Sequence, residues 1–184
     1  MLRITGGQLR GRKIKTLEGK GTRPMLSRIR KSLFDLIGNR ITDADFLDLF
    51  AGTGSVGIEA LSRNAASATF IEKEAAAIEV INGNLSLFDL SGRARVYRRD
   101  VLSWLSLVAG EGEAFDIIFV GPPYFQNLAD KVLEQIPGAG ILKEDGLIFI
   151  QHYKKEKIVV PDGLELAEER KYGDMFLSII TLKK

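Results

Sequence analysis

Two stretches of this chain carry residues that could do chemistry together. At 115–124, "FDIIFVGPPY", an apolar run stops at Gly121, Pro122, Pro123 and Tyr124. Proline cannot continue a central strand, so a buried strand must end here in a stiff loop. Two prolines leave a carbonyl without local partners, and the tyrosine offers a flat face on which a base can stack. That combination suits transfer of a methyl group to an exocyclic amine. The lone pair of such an amine is delocalised into its ring. Acceptors that hold the amino hydrogens help to localise it and aim it, which is positioning and electrostatics rather than strong-base catalysis. A base inside a helix would have to be extruded, or be already unpaired.

The second stretch is "DLFAGTGSVGIEAL" at 48–61. Gly52, Gly54 and Gly57 satisfy the G-x-G-x-x-G spacing, and Glu72 ends the next predicted strand 20 residues after Gly52. Glycines at a strand-to-helix turn let backbone approach a ligand closely. The spacing fits a dinucleotide, with the acid on ribose hydroxyls. It fits S-adenosylmethionine (SAM) as well. Asp48, four residues before Gly52, suits a cationic amino-acid end and sits badly beside a pyrophosphate. Asp100, in "RRDVL", could accept from an adenine amino group or cap the helix that follows, and one residue can do both. The Pro-Pro-Tyr loop favours SAM.

These residues need a frame that brings strand ends together, and the periodicity supplies one. Apolar strands are predicted at 45–50, 67–72, 94–99, 115–120 and 146–153. Between them helices are predicted at 55–63, 74–88, 101–108 and 127–136. Alternating βα units specify a parallel sheet with helices on both faces, and ligands bind outside the carboxyl ends of its strands. Two further strands, 164–172 and 175–184, flank a Gly-Asp turn as a hairpin. Upstream, 2–5 and 12–17 read as a small hairpin bearing Arg10, Arg12, Lys13 and Lys15, and 19–24 as a loop. A helix follows from about Met25 to Asn39. Leu26, Ile29, Leu33, Leu36 and Ile37 lie on its apolar face, with Arg28, Arg30 and Lys31 elsewhere.

Composition bounds the possibilities. A chain of 184 residues, 45% apolar, builds one sizeable core. The absence of cysteine excludes disulfides, thiolate metal sites and cysteine nucleophiles, and it fits a reducing cytosol. A single histidine, His152, excludes a His-rich metal centre. It is expected in a surface or capping role at the end of its strand. No signal peptide or membrane span is read, and the expected location is cytoplasmic. Residues 1–40 carry 11 Lys and Arg against 2 acids, a net of +9. Residues 41–184 carry 15 against 22, a net of −7. A basic extension (1–40) on an acidic cofactor-binding domain (41–184) points to a polyanion on one side. The run "HYKKEK" at 152–157 reads as a solvated charge run, with phosphate contacts as the alternative. Trp104 and Phe88 read as core.

Read as a whole, the chain resembles the RsmD-like family of bacterial small-subunit (16S) rRNA guanine-N2 methyltransferases. The likeness lies in "ITGGQLRGRKI" (4–14), "TRPMLSRIRKSLFDLIG" (22–38), "LDLFAGTGSVGIEALSR" (47–63), "FIEKE" (70–74), "RRDVLSWL" (98–105) and "FDIIFVGPPY" (115–124). The resemblance implies a Rossmann-like, seven-stranded methyltransferase sheet with a small basic N-terminal extension. It implies SAM held by Asp48, Phe50, Ala51, Gly52, Thr53 and Gly54, with Glu72 at the ribose, Asp100 and Val101 at the adenine, and Lys73 also in the cofactor site. Gly121, Pro122, Pro123 and Tyr124 would form the catalytic loop. Arg10, Arg12, Lys13, Arg23 and Arg28 would contact RNA, with Arg23, Pro24 and Arg28 near the site entrance. A monomer acting on rRNA or an assembling small subunit is expected.

One position departs from the family pattern. An Asp or Asn usually precedes Pro-Pro-Tyr and accepts from the target amine, whereas this chain has Gly121. The Pro122 carbonyl, an ordered water, or Gln126 or Asn127 could serve instead. The departure keeps a binding protein with little catalysis as an alternative. An NAD-dependent oxidoreductase on the same glycine loop is another, and a methyltransferase for DNA or protein a third.

Overall fold

The computed structural model describes residues 2–17, 25 and 27–184. Its main element is a seven-stranded sheet. The strands are β3 (Asp45–Leu49), β4 (Ser67–Glu72), β5 (Ala94–Arg98), β6 (Phe115–Val120), β7 (Leu142–Tyr153), β8 (Leu164–Tyr172) and β9 (Met175–Leu182), in the spatial order β5-β4-β3-β6-β7-β9-β8. Pairs among β3 to β7 are parallel, and β9 runs antiparallel to both β7 and β8. Connecting helices are α2 (Ser55–Ser62), α3 (Ala75–Leu87), α4 (Val101–Val108) and α5 (Leu128–Ala139). The predicted strands and helices are recovered, with β4, α4, β6 and β8 at the predicted boundaries; the loop predicted at 19–24, and Leu26, lie outside the described residues.

Alternate strand residues enter two apolar layers, as a period of two demands. Phe46, Phe70, Ile117, Phe119 and Phe149 face one layer. Leu47, Ile71, Ile118, Val120 and Ile150 face the other, against Trp104 and Val132 of α4 and α5. Coverage on both faces is why "FDIIFV" reads as a continuous apolar run rather than an alternation. Trp104 and Phe88 are buried, as expected of core residues.

The N-terminal segment adds to the first layer. Strands β1 (Leu2–Arg3) and β2 (Lys13–Ile14) pair antiparallel, Leu2 opposite Ile14. They are shorter than the predicted 2–5 and 12–17 because side chains of α2 and α3 take the backbone groups of Thr5 and Lys15. Thr5 N–H donates to both oxygens of Glu59, at 2.8 and 3.1 Å. Asn84 accepts from Lys15 N–H at 2.9 Å and donates to Lys15 O at 3.0 Å. Gly7 closes the approach: a Cβ there would lie 1.9 Å from Ser62 O. The following helix α1 (Ser27–Ile37) buries Ile29, Leu33, Phe34 and Ile37, and Phe34 stacks on Phe46.

Two polar residues depart from expectation. Arg30, predicted off the apolar face of α1, is fully buried. Its Nε donates to Glu59 Oε2 at 3.1 Å and its Nη2 to Arg3 O, which ties α1, β1 and α2 together. A buried guanidinium is tolerable only with such partners. His152, expected at the surface, is buried with 4% exposure. Its ring stacks on Phe176, and Nε2 faces Ser178 Oγ at 2.8 Å. The antiparallel strand β9 covers it, an arrangement that local sequence could not announce.

Candidate active site

The strand order reverses between β3 and β6, and a cleft opens there beyond the carboxyl ends of the strands, where open α/β sheets bind ligands. A cavity of about 720 Å³ fills it, within the range of small-molecule sites. Strand β3 delivers Asp48 and the loop Phe50, Ala51, Gly52 and Thr53 to its wall. Strand β4 delivers Glu72 and Lys73. The turn after β5 delivers Asp100 and Val101, and β6 delivers Gly121, Pro122, Pro123 and Tyr124. Two motifs some 70 positions apart in sequence thus line one cavity. Gly54 does not line it. Its left-handed backbone (φ 74°) turns the chain into α2, and a Cβ there would lie 3.0 Å from Ile81 Cγ1.

Asp48 is 1% exposed. Its Oδ2 accepts from Gly57 N–H at 2.9 Å, which links the end of β3 to the first turn of α2. Burial pushes its carboxyl up to about 8; the Gly57 N–H opposes the rise and nearby Glu72 adds to it. No basic side chain pairs with Asp48 among the described residues. A buried carboxyl without a cation, facing a cavity, suits a ligand that brings one. Glu72 is held rigidly: Oε2 accepts from Gly52 N–H at 2.8 Å, and Oε1 from Lys73 and Glu74 N–H at 2.8 and 2.9 Å. A carboxylate has about four acceptor sites, so capacity remains for a hydroxyl. Asp100 caps α4, its Oδ1 accepting from Leu102 and Ser103 N–H at 3.0 and 3.2 Å. Its Oδ2 has no partner among the described residues.

At the other wall, Gly121 N–H donates to Leu49 O at 3.3 Å across the switch point. The ring of Phe119, two residues earlier and buried, lies against Gly121: a Cβ there would meet Phe119 Cε1 at 2.8 Å. The space that an acid would use is held by an aromatic ring. Of the two substitutes considered, Gln126 lines the cavity and Asn127 does not. Sequence reasoning missed Gln151. It is buried at the cavity wall, and its Nε2 donates to Tyr124 Oη at 2.9 Å. The signal was a lone amide ending the apolar run "LIFI".

The basic residues divide into two groups. Arg10, Arg12 and Lys13 are exposed on the hairpin. Arg12 lies over Phe88, at the far end of α3 from the cavity-lining Glu74. Thirteen helical residues separate them, roughly 20 Å of rise. Arg28, by contrast, is exposed near the cavity end of the sheet, its Nη2 3.5 Å from where a Cβ on Gly173 would stand in the β8–β9 turn. Arg23 and Pro24 fall outside the described residues.

Five parallel strands, the antiparallel β9 inserted between β7 and β8, and acids at three successive strand ends define the Rossmann-like fold of SAM-dependent methyltransferases. The SMU.776 protein, solved with SAH, has this fold at a TM-score of 0.66 over 84% of this chain and 48% of that one, at 16% identity. The yhhF protein of Escherichia coli superposes at a TM-score of 0.87, with 33% identity, over 100% of this chain and 98% of its own. "Ribosomal RNA small subunit methyltransferase D" of Escherichia coli K12 is 36% identical over 175 residues, 95% of this chain and 86% of that protein. The family described as "Conserved hypothetical protein 95" matches residues 2–181. The chain belongs to that family, the RsmD-like methyltransferases.

Proposed function

We propose that this protein methylates the exocyclic N2 of a guanine in small-subunit rRNA, in the cytosol. The observation that carries the reading is the meeting of the Gly121–Tyr124 loop with Asp48, Glu72 and Asp100 around one cavity. The rRNA assignment draws on the name of the Escherichia coli relative. SAM, when bound, supplies a methyl group on a positively charged sulfur. Asp48 would take the ammonium of its amino-acid end, Glu72 the ribose hydroxyls, and the Oδ2 of Asp100 the adenine amine. Phe50, Ala51, Gly52, Thr53, Lys73 and Val101 complete that wall.

The guanine would stack on Tyr124, whose ring Gln151 holds in place through the hydroxyl. The Pro122 carbonyl would accept one amino hydrogen and so turn the nitrogen lone pair towards the methyl. Gly121 supplies no second acceptor. By analogy with oxyanion-hole donors, one lost hydrogen bond costs about 2.7–4 kcal/mol of barrier, which slows an enzyme without abolishing it. An ordered water or Gln126 would fill part of that role.

The test is incubation with methyl-labelled SAM and small-subunit particles that lack guanine-N2 methylation, followed by digestion of the rRNA and identification of the labelled nucleoside. Wild type is expected to yield N2-methylguanosine. Label from Gly121→Asp alone would establish a binding protein whose chemistry has been lost. Gly121→Ala controls for displacement of the Phe119 ring. No label from any form would refute the guanine assignment.

A further inference from the structure

The loop that carries Tyr124 continues into a residue with no role in the cavity. Phe125 is 66% exposed, the most exposed large apolar side chain among the described residues. Its backbone is left-handed (φ 62°), a costly conformation for a bulky residue that persists only where the surroundings impose it. Glu156 imposes it here. Its Oε1 accepts from Phe125 N–H at 2.6 Å, and its Oε2 from Tyr153 N–H at 2.9 Å. One carboxylate thus clamps the loop after β6 to the segment after β7.

The clamp brings three rings together. Phe125 meets Tyr153 edge-on with ring centres 5.3 Å apart, and Tyr124 lies 6.4 Å from each of the two. Tyr124 lines the cavity, so Phe125 stands one ring outside it. The surroundings are basic. Lys155 and Lys157 are exposed beside Glu156. Lys154 pairs with Asp174 at 2.6 Å in the β8–β9 turn, and Arg28 lies against Gly173 of that turn. These cations stand at the cavity end of the sheet, whereas Arg12 of the hairpin lies at the far end of α3.

We infer that Phe125, backed by Tyr153, is a stacking site for an unpaired nucleotide adjacent to the target guanine, with Lys155 and Lys157 taking its phosphates. An exposed aromatic beside cations is how proteins hold single strands, because every base has a stacking face. The inference rests on the RNA reading above and narrows the substrate: the target guanine has an unpaired neighbour.

The test uses a 12-nucleotide single-stranded RNA with one guanine, 2-aminopurine beside it, and a terminal fluorescent label. Anisotropy reads affinity, and quenching of 2-aminopurine reads stacking. Binding of wild-type protein should quench the 2-aminopurine. Phe125→Ala should abolish the quench and weaken binding roughly five- to a hundredfold, and Phe125→Tyr should restore both. Thermal stabilisation by S-adenosylhomocysteine should be the same in all three forms, since Phe125 lies outside the cavity. Lys155→Ala with Lys157→Ala should lower the salt slope by about 0.7 for each phosphate no longer neutralised.

Equal affinity and quenching in Phe125→Ala would overturn the stacking site and leave the RNA reading intact. So would a matching loss of S-adenosylhomocysteine stabilisation, which would mark a structural role. Unchanged RNA affinity with lost methylation of particles would assign the ring to a ribosomal protein and overturn the proposal. No RNA binding by wild type that still binds S-adenosylhomocysteine would remove the RNA reading, and this inference with it.

Discussion

A buried carboxyl pushed up to about 8 makes cofactor binding depend on pH in a calculable way. In the ligand-free protein Asp48 holds a proton over most of the physiological range. A ligand ammonium needs the carboxylate, so only the ionised fraction is competent. With a titration point near 8, that fraction is roughly 1 in 100 at pH 6, 1 in 11 at pH 7 and 1 in 2 at pH 8, and apparent affinity scales with it. S-adenosylhomocysteine keeps its ammonium over this window. Its affinity should therefore rise roughly fiftyfold from pH 6 to pH 8, nearly tenfold over the first unit.

Stability of the ligand-free protein should move the other way. The folded state holds a proton that the unfolded chain has lost above its ordinary value of 3.8. Asp48 therefore contributes stability in full below that value, and the contribution is lost progressively as pH rises towards 8. The total is on the order of 5 kcal/mol. Asp48→Asn keeps an acceptor for Gly57 N–H and removes the titration. It should flatten the affinity profile, weaken binding at pH 8, and raise the ligand-free melting temperature above wild type at that pH. Calorimetric titration with S-adenosylhomocysteine at pH 6, 7 and 8 measures the first two effects, and a melting series the third. A flat wild-type profile would refute the reasoning, because Asp48 would then be ionised before the ligand arrives.

Other perturbations separate structure from binding. Asp100→Ala should cost about 1 kcal/mol as a lost cap and weaken S-adenosylhomocysteine binding. Asp100→Asn should keep the melting temperature and lose only affinity, which calorimetry would resolve. Glu59→Gln leaves buried Arg30 without its counter-charge and should destabilise by about 3–5 kcal/mol in urea unfolding. Gly57→Ala places a Cβ 2.3 Å from Phe70 Cε1 at the residue that anchors Asp48. It should cost about 1–3 kcal/mol and shift the pH profile of binding along with stability.

Local sequence carried the elements and the loops between them. An apolar run such as "FDIIFV" must be a strand covered on both faces, and prolines must end it, because those are properties of the backbone and of burial. Parallel order follows from βα alternation, which is why the sequence alone places Asp48, Glu72, Asp100 and Gly121 at one edge. Tertiary structure decided what depends on residues distant in the chain. Arg30 is buried only because Glu59, 29 positions away, lies opposite it. His152 is covered only because β9 inserts antiparallel beside β7. Gln151 reaches Tyr124 only because β6 and β7 are neighbours. Arg12 of the hairpin lies at the end of α3 away from the cavity because α3 rises roughly 20 Å between Glu74 and Phe88. Gly121, unexplained as a letter, is a glycine against which the Phe119 ring lies. Periodicity records which face of its own element a side chain occupies. Which distant element meets that face is a property of packing, and there the partners of this site were chosen.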